Sequence, residues 1–480
     1  MSEGTLYHLL LFLLACVYTL AFLSVLHVLY NYRSAQSAIG WIVGLVSFPY
    51  IAVPLYYLLG GNRFEGYVAA RRSGDETINP VLGKLARTTA RWNCAAPPGS
   101  PELDVIARLA KLPLTHGNRC ELLIDGRQTY AGMFQAIKAA RDYVLLEFYI
   151  IRDDNVGRKL SDLLQEKALE GVRVFVLYDD IGSAWLSRRY IRKLLQAGVQ
   201  VRSFNTASKR PKRLQINFRN HRKILVIDGH TGFVGGLNIG KEYLGQDPLF
   251  SPWRDTHVRL TGPAALVLQL TFMEDWHWSA SEVLNLNWTL PDSKIAPAGA
   301  EVFILPTSAA DDFETCELFF LNTVNHAQKR LWIASPYFVP DLLLIKTLQL
   351  AALRGVDVRI LIPERPDNRL VYLAAFTYLE MAARSGIRIY RYREGFMHQK
   401  VMLVDSRYAS VGTVNLDNRS LRLNFEVTAV LFDQVFVQQV EQMLVRDFQA
   451  SREATLQEYT SRSKLFGLAC RSARLMAPLL

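Results

Sequence analysis

Apolar residues are spread unevenly along the chain. Leu6 to Tyr30 contains no Asp, Glu, Lys or Arg, and a run of that length predicts a helix able to cross a hydrocarbon core of about 30 Å. A second uncharged run, Ala38 to Leu59, has the length to span as well, although Pro49 and Pro54 inside it favour a kinked helix or a re-entrant hairpin. Two N-terminal transmembrane segments are therefore expected within residues 1–62. Tyr30, Tyr32, Trp41, Tyr56 and Tyr57 lie near the ends of these runs, where an interfacial aromatic belt would place them. Arg63, Arg71 and Arg72 after the second run outweigh the lone Arg33 between the runs, which predicts a multi-pass anchor with the rest of the chain in the cytoplasm. The first residues hold Glu3 and no Lys or Arg, contrary to a cleaved signal peptide.

Residues 63–113 have mixed character, and Cys94-Ala-Ala-Pro-Pro-Gly-Ser-Pro reads as a linker. Beyond it, strand and helix patterns alternate, and they do so twice. Tyr143 to Ile151 is a buried-strand run, a helical stretch follows, and Gly171 to Leu177 is the next strand; Leu331 to Val339, another helical stretch and Gly355 to Leu361 repeat the order. This predicts two homologous α/β halves, 114–295 and 296–450, built from mixed sheets flanked by helices, with an amphipathic tail at 451–480.

Composition narrows the class. With 480 residues, half of them hydrophobic and 21% charged, the chain has material for large packed cores. Its five cysteines (Cys16, Cys94, Cys120, Cys316, Cys470) are scattered, with no CxxC pair, and indicate neither a disulfide framework nor a zinc site. A net charge of +11 favours polyanions or anionic membranes as partners.

The repeat also carries chemistry. His221-x-Lys223-x4-Asp228-x6-Gly235-x2-Asn238 recurs as His398-x-Lys400-x4-Asp405-x6-Gly412-x2-Asn415, with 17 residues from His to Asn in both copies. Five fixed identities at such spacing arise by chance in on the order of one chain in ten thousand. Residues two apart on a strand face the same way, so each His and Lys project together, an imidazole beside an ammonium suited to an anionic phosphate. Asp228 and Asp405 complete the motif's catalytic set but fall on the opposite face of a regular strand, and within that set they read as structural carboxylates. Asn238 and Asn415 follow a Gly-rich return strand and can supply amide donors to phosphate oxygens. Two histidines facing one phosphate permit a double displacement: one attacks phosphorus, the other protonates the leaving alcohol and then deprotonates the incoming nucleophile. The scheme requires no metal or other cofactor, and His-x-Lys is not metal-ligand spacing.

These paired motifs resemble those of the phospholipase D superfamily. The apolar N-terminus, the Trp41…Pro49…Pro54…Tyr57…Gly60 pattern, Ser335-Pro-Tyr-Phe-Val-Pro340 and Gly412-Thr-Val-Asn-Leu-Asp-Asn-Arg-Ser-Leu421 make the chain similar to the bacterial cardiolipin synthases of that superfamily. The resemblance implies two phospholipase D-like halves sharing one active site, a location in the bacterial inner membrane, and conversion of two phosphatidylglycerol molecules to cardiolipin and glycerol through a phosphatidyl-histidine. It also implies a carboxylate downstream of each motif that orients its histidine: Asp255, 34 residues past His221, and Glu426, 28 past His398. The first-half histidine, His221, is the implied nucleophile, with His398 as acid and base. Gly236 departs from the small polar residue often found there, matched by Thr413 in the second half, which puts in doubt a polar contact to phosphate from the first half.

The alternative within the superfamily is a phosphodiesterase that uses water on a phospholipid or, less readily, a nucleic acid. No nucleic-acid module accompanies the motifs. Gly235-Gly-Leu-Asn-Ile-Gly-Lys-Glu242 imitates a P-loop but ends in Glu where Ser or Thr is required. Lys209-Arg-Pro-Lys-Arg213, with Arg219 and Arg222, is either a solvated face or a contact for an anionic headgroup or leaflet. The tail from Lys464 alternates basic and apolar residues and either lies in a membrane interface or packs on the body.

Overall fold

The computed structural model describes residues 3–31, 35–60, 80, 83–88, 90–94, 101–204, 217–296 and 299–479. Tyr32, Arg33, Arg63, Arg71, Arg72 and the 209–213 basic cluster lie outside the described residues.

The first apolar run is a single helix, Glu3–Asn31, long and apolar enough to cross a membrane. The second is not. Pro49 interrupts it at Phe48, leaving helices Ala35–Ser47 and Pro49–Leu59 of 13 and 11 residues. At 1.5 Å per residue neither exceeds about 20 Å, short of a hydrocarbon core. Both pack on the first helix, with His27 Nδ1 2.6 Å from the Tyr56 hydroxyl and Leu45 and Val53 buried. The expectation of two transmembrane helices is thus corrected to one helix of spanning length among the described residues. The multi-pass topology, and the cytoplasmic placement deduced from it, fall with the second span.

Within 63–113 the described residues include helix Pro101–Ala110, docked on the second half through Leu103 and Ile106, with Glu102 paired to Arg407.

The remainder is organised around one 15-stranded sheet whose strand order is nearly palindromic. From one edge run the parallel strands Gln200–Ser203, Arg173–Tyr178 and Tyr143–Phe148, then the motif hairpin Lys223–Ile227 and Thr231–Gly235, then Thr256–Thr261. From the other run Ser451–Ala454, the parallel strands Arg388–Tyr392, Asp357–Pro363 and Arg330–Ala334, the hairpin Val401–Val404 and Tyr408–Gly412, then Glu426–Leu431. The halves join where Thr115–Ile124 pairs antiparallel with Ala300–Thr307.

Strands such as Tyr143–Phe148 are buried at every position, as expected for sheets covered on both faces. One face carries a core continuous across the seam, capped by Pro263–Ala280 and Gln434–Gln449. The first of these helices is apolar nearly all round and almost wholly buried. On the other face each half has its own core. The tail helix Lys464–Arg474 buries Cys470 and Ala473 and sets Phe466 4.9 Å from Phe376, while Leu465, Leu468 and Leu475 face outward.

Candidate active site

Each motif histidine lies just ahead of its motif strand, with Lys223 opening Lys223–Ile227 and Lys400 immediately preceding Val401–Val404, and its backbone is pinned to the opposite half. His221 N–H donates to the Phe425 carbonyl and Phe425 N–H to the Arg219 carbonyl, 2.9 and 2.8 Å. Likewise His398 N–H donates to the Arg254 carbonyl at 2.8 Å, and Phe396–Met397 pairs with Trp253–Arg254. Phe425 immediately precedes Glu426 and Arg254 immediately precedes Asp255. The carboxylates are therefore exchanged: His221 Nδ1 lies 2.8 Å from Glu426 Oε2, and His398 Nδ1 lies 2.8 Å from Asp255 Oδ2. Pairing of each histidine with the carboxylate downstream in its own half is corrected to pairing across the halves.

Both carboxylates are fully buried. The Arg254 guanidinium is bound to Asp447 and Asp125 and donates to the Asp255 backbone carbonyl at 2.8 Å rather than to its carboxylate. Glu426 also accepts from Thr413 Oγ1 and Asn424 Nδ2. Gly236 occupies the place of Thr413 for a steric reason: a Cβ there would sit 2.0 Å from Asp255 Oδ1. The Thr413 hydroxyl serves the carboxylate, so the Gly236 departure removes a carboxylate partner rather than a phosphate contact.

Lys223 donates to the His221 carbonyl at 2.7 Å, and Lys400 to the His398 carbonyl at 2.6 Å with its ammonium 3.0 Å from His398 Nε2. Burial of these like charges dominates the electrostatics. It lowers Lys223 to about 7 and Lys400 to about 8; the Lys400 ammonium depresses Lys223 further, while Glu426 and Asp255 pull both partly back up. Burial likewise holds His221 down at about 4, against the pull of Glu426, and His398 at about 3, where Lys400 adds to the effect. Burial opposes ionisation of Asp255 and Glu426, but the lysines and histidines around them outweigh it and keep both lowered. Neutral imidazoles that donate Nδ1–H to carboxylates keep Nε2 as the basic nitrogen.

The two histidines line a cleft of about 640 Å³ together with Asn238 and Asn415. Asn238 is committed on both sides, accepting from Ile150 N–H and donating to the Tyr243 hydroxyl, whereas Asn415 Oδ1 is buried without a hydrogen-bond partner. Asp228 and Asp405 are not in the cleft. Each immediately follows its motif strand, about 17 Å along from the lysine by strand rise. There each accepts backbone N–H groups of the neighbouring strand's entry: Arg141, Asp142 and Tyr143 for Asp228, Gln328, Lys329 and Arg330 for Asp405. Their inclusion among catalytic residues gives way to an anchoring role. Arg222 is also internal, bound to Asp275 at 2.5 Å.

Several cleft residues were not singled out by sequence: Tyr149, whose ring meets His221 at 5.0 Å, Trp253, 5.1 Å from the His398 ring, Glu242, Tyr337 and Arg419. Superposing the two copies would have flagged one contrast, since Glu242 and Arg419 each stand 21 residues past a motif histidine.

Comparison with known proteins agrees over the whole chain. A family model described as "Cardiolipin synthase, PLD-like domain" matches residues 133–248 and 320–448, and one described as "Phospholipase_D-nuclease N-terminal" matches 19–61. Cardiolipin synthase A of Pseudomonas fluorescens is 44% identical, covering 98% of this chain and 99% of its own. That of Pseudomonas aeruginosa is 45% identical, covering 98% and 96%. A solved phosphatidylserine synthase of Haemophilus influenzae, 18% identical, covers 79% of this chain and 100% of its own with a TM-score of 0.58, a likeness of fold.

Proposed function

The chain belongs to the cardiolipin synthases of the phospholipase D superfamily, and from that premise we propose how its cleft performs the reaction. The enzyme transfers a phosphatidyl group from one phosphatidylglycerol to another, forming cardiolipin and releasing glycerol. Identity of 44–45% over nearly the full length carries this reading.

His221 Nε2 attacks phosphorus while Glu426 holds the Nδ1 proton and stabilises the imidazolium that develops. The P–O bond to glycerol breaks as His398 protonates the departing oxygen. A hydroxyl of the second phosphatidylglycerol then gives its proton to His398, forms a P–O bond, and displaces His221. Lys223, Lys400 and the Asn415 amide stabilise the equatorial oxygens, while Asn238, held by Ile150 and Tyr243, shapes the cleft wall. Phosphate between the two ammonium groups offsets the charge that depresses His398, which raises its proton affinity when it must act as an acid.

The test supplies labelled phosphatidylglycerol to the purified enzyme in vesicles. Cardiolipin and glycerol in equal amounts are expected; phosphatidic acid without cardiolipin, or dependence on CDP-diacylglycerol, would sink the reading. Quenched samples should carry the phosphatidyl adduct on His221. An adduct on His398, or one that persists in His221→Ala, reverses the two roles.

A further inference from the structure

The walls flanking the two histidines differ in charge. Two residues before its histidine the first half has Arg219 and the second Phe396; 21 residues after, the first has Glu242 and the second Arg419. Folding gathers these substitutions by side. Arg419 donates to the carbonyl and Oδ1 of Asn217, two residues from Arg219, at 2.8 and 3.2 Å, so one arginine from each half reaches the His221 side. Both are partly buried and line the cleft beside Tyr149. Burial, then repulsion from Arg219, lowers Arg419, and Asp417 and Asp179 offset part of it. Around His398 stand Trp253, Phe250 and Tyr243 with Asp247 and with Glu242, which is paired to Arg152 at 3.2 Å, a wall less positive than the arginine side.

We propose that Arg219 and Arg419 form a binding site for a second phosphodiester, the one already present in the lipid acceptor. This rests on the phosphatidyl-transfer reading above. The acceptor's attacking hydroxyl enters in line beside His398, and its three-carbon glycerol tether carries its own phosphate across to the paired guanidiniums. Water and free glycerol lack that anchor, so the pair favours synthesis over hydrolysis. In the step it serves, the acceptor O–P bond forms as the P–N bond to His221 breaks, and the hydroxyl proton passes to His398; the arginines take no proton.

The experiment measures three products of the full-length enzyme in phosphatidylglycerol vesicles: cardiolipin, phosphatidic acid, and phosphatidylglycerol labelled by exchange with radioactive glycerol. Exchange uses the same phosphatidyl-enzyme and an uncharged acceptor, so it reports folding and chemistry on the same sample. In Arg219→Gln and Arg419→Gln, cardiolipin formation relative to exchange should fall about tenfold each, the loss of one charge-assisted contact, with the phosphatidic acid share rising. Arg219→Lys and Arg419→Lys should lose about threefold or less of that ratio, as the cation is kept. Cardiolipin and exchange falling in parallel, or Lys variants as impaired in the ratio as Gln variants, overturns the proposal. Should the unaltered enzyme form phosphatidic acid and no cardiolipin, the transfer reading itself fails, an outcome independent of the arginines.

Discussion

The surroundings of His221 and of His398 begin from the same motif residues and arrive at different environments. His221 faces a glutamate supported by Thr413 and Asn424, with arginines and Tyr149 on its flank. His398 faces a shorter aspartate admitted by the missing side chain of Gly236, with Lys400 against its ring and Trp253 beside it. Duplication supplied matched reacting groups, while the residues just outside them were free to diverge, because a transferase must treat its two ends differently. In the proposed mechanism one end becomes covalently loaded and the other handles protons and a succession of alcohols. Each half is also incomplete alone, since its histidine takes its carboxylate from the other.

The largest effects should come from severing the exchanged pairs. Glu426→Gln and Asp255→Asn remove the negative charge that fixes the imidazole tautomer and stabilises the imidazolium, and turnover is expected to fall about 10³- to 10⁴-fold in each. A donor with a nitrophenol leaving group sharpens the contrast, because it departs without a proton. With that donor, Asp255→Asn should still form the His221 adduct at near-normal rate while Glu426→Gln should not. Equal impairment of adduct formation in both would make the two sides equivalent.

Next comes the exchange of the supporting residues. Gly236→Ser imitates the second half but places an atom on Asp255, so overpacking of about 1–3 kcal/mol and displacement of the carboxylate are expected. Thr413→Gly removes one charge-assisted hydrogen bond to Glu426 and should be milder, about tenfold in turnover. A Gly236→Ser enzyme as active as Thr413→Gly would contradict the steric explanation.

The pH profile of kcat/KM should separate the lysines. Both are lowered by burial, so in the free enzyme the ammonium charge is present at low pH and is lost as pH rises through about 7 for Lys223 and about 8 for Lys400. The rate constant for capture of anionic lipid is therefore expected to decline over that interval, about tenfold per pH unit at most per lysine. At the acid end it should fall as His221 becomes protonated near 4. In Lys223→Gln the lower alkaline limb should disappear. A flat profile between 6 and 9 would mean that the ammonium groups do not titrate there.

How much of this was legible depended on distance in sequence. The strand–helix–strand succession in each half and the motif pairs lie in short patterns that repeat, and so could be read directly, whereas the downstream carboxylates, 34 and 28 residues past the histidines, share no spacing and were indicated by the family resemblance alone. The exchange of Asp255 and Glu426 could not, since it follows from backbone pairing of Asn220 with Phe425 and of Met397 with Arg254, contacts between segments with no local signature linking them. The second membrane run misled for a different reason. Its composition satisfies a length criterion, and only the break at Phe48–Pro49 decides that the helix does not continue.

The smallest effect on catalysis should come from the motif aspartates, although they look like the most conspicuous acids in the sequence. Both adopt the left-handed backbone, at φ of 50° for Asp228 and 53° for Asp405, which disfavours alanine. Asp405 is buried and also faces the Arg407 guanidinium at 3.3 Å, whereas Asp228 is only half-buried. Asp405→Ala is therefore expected to cost about 2–4 kcal/mol of stability and Asp228→Ala about 1–3, read from denaturant midpoints. Asn keeps an acceptor and tolerates the left-handed backbone, so Asp405→Asn should recover part of the loss. Turnover per folded molecule should stay within about twofold throughout, because neither carboxylate reaches the cleft. A large drop in turnover at unchanged stability would return these aspartates to the chemistry and make the two ends of the motif strand a single functional unit.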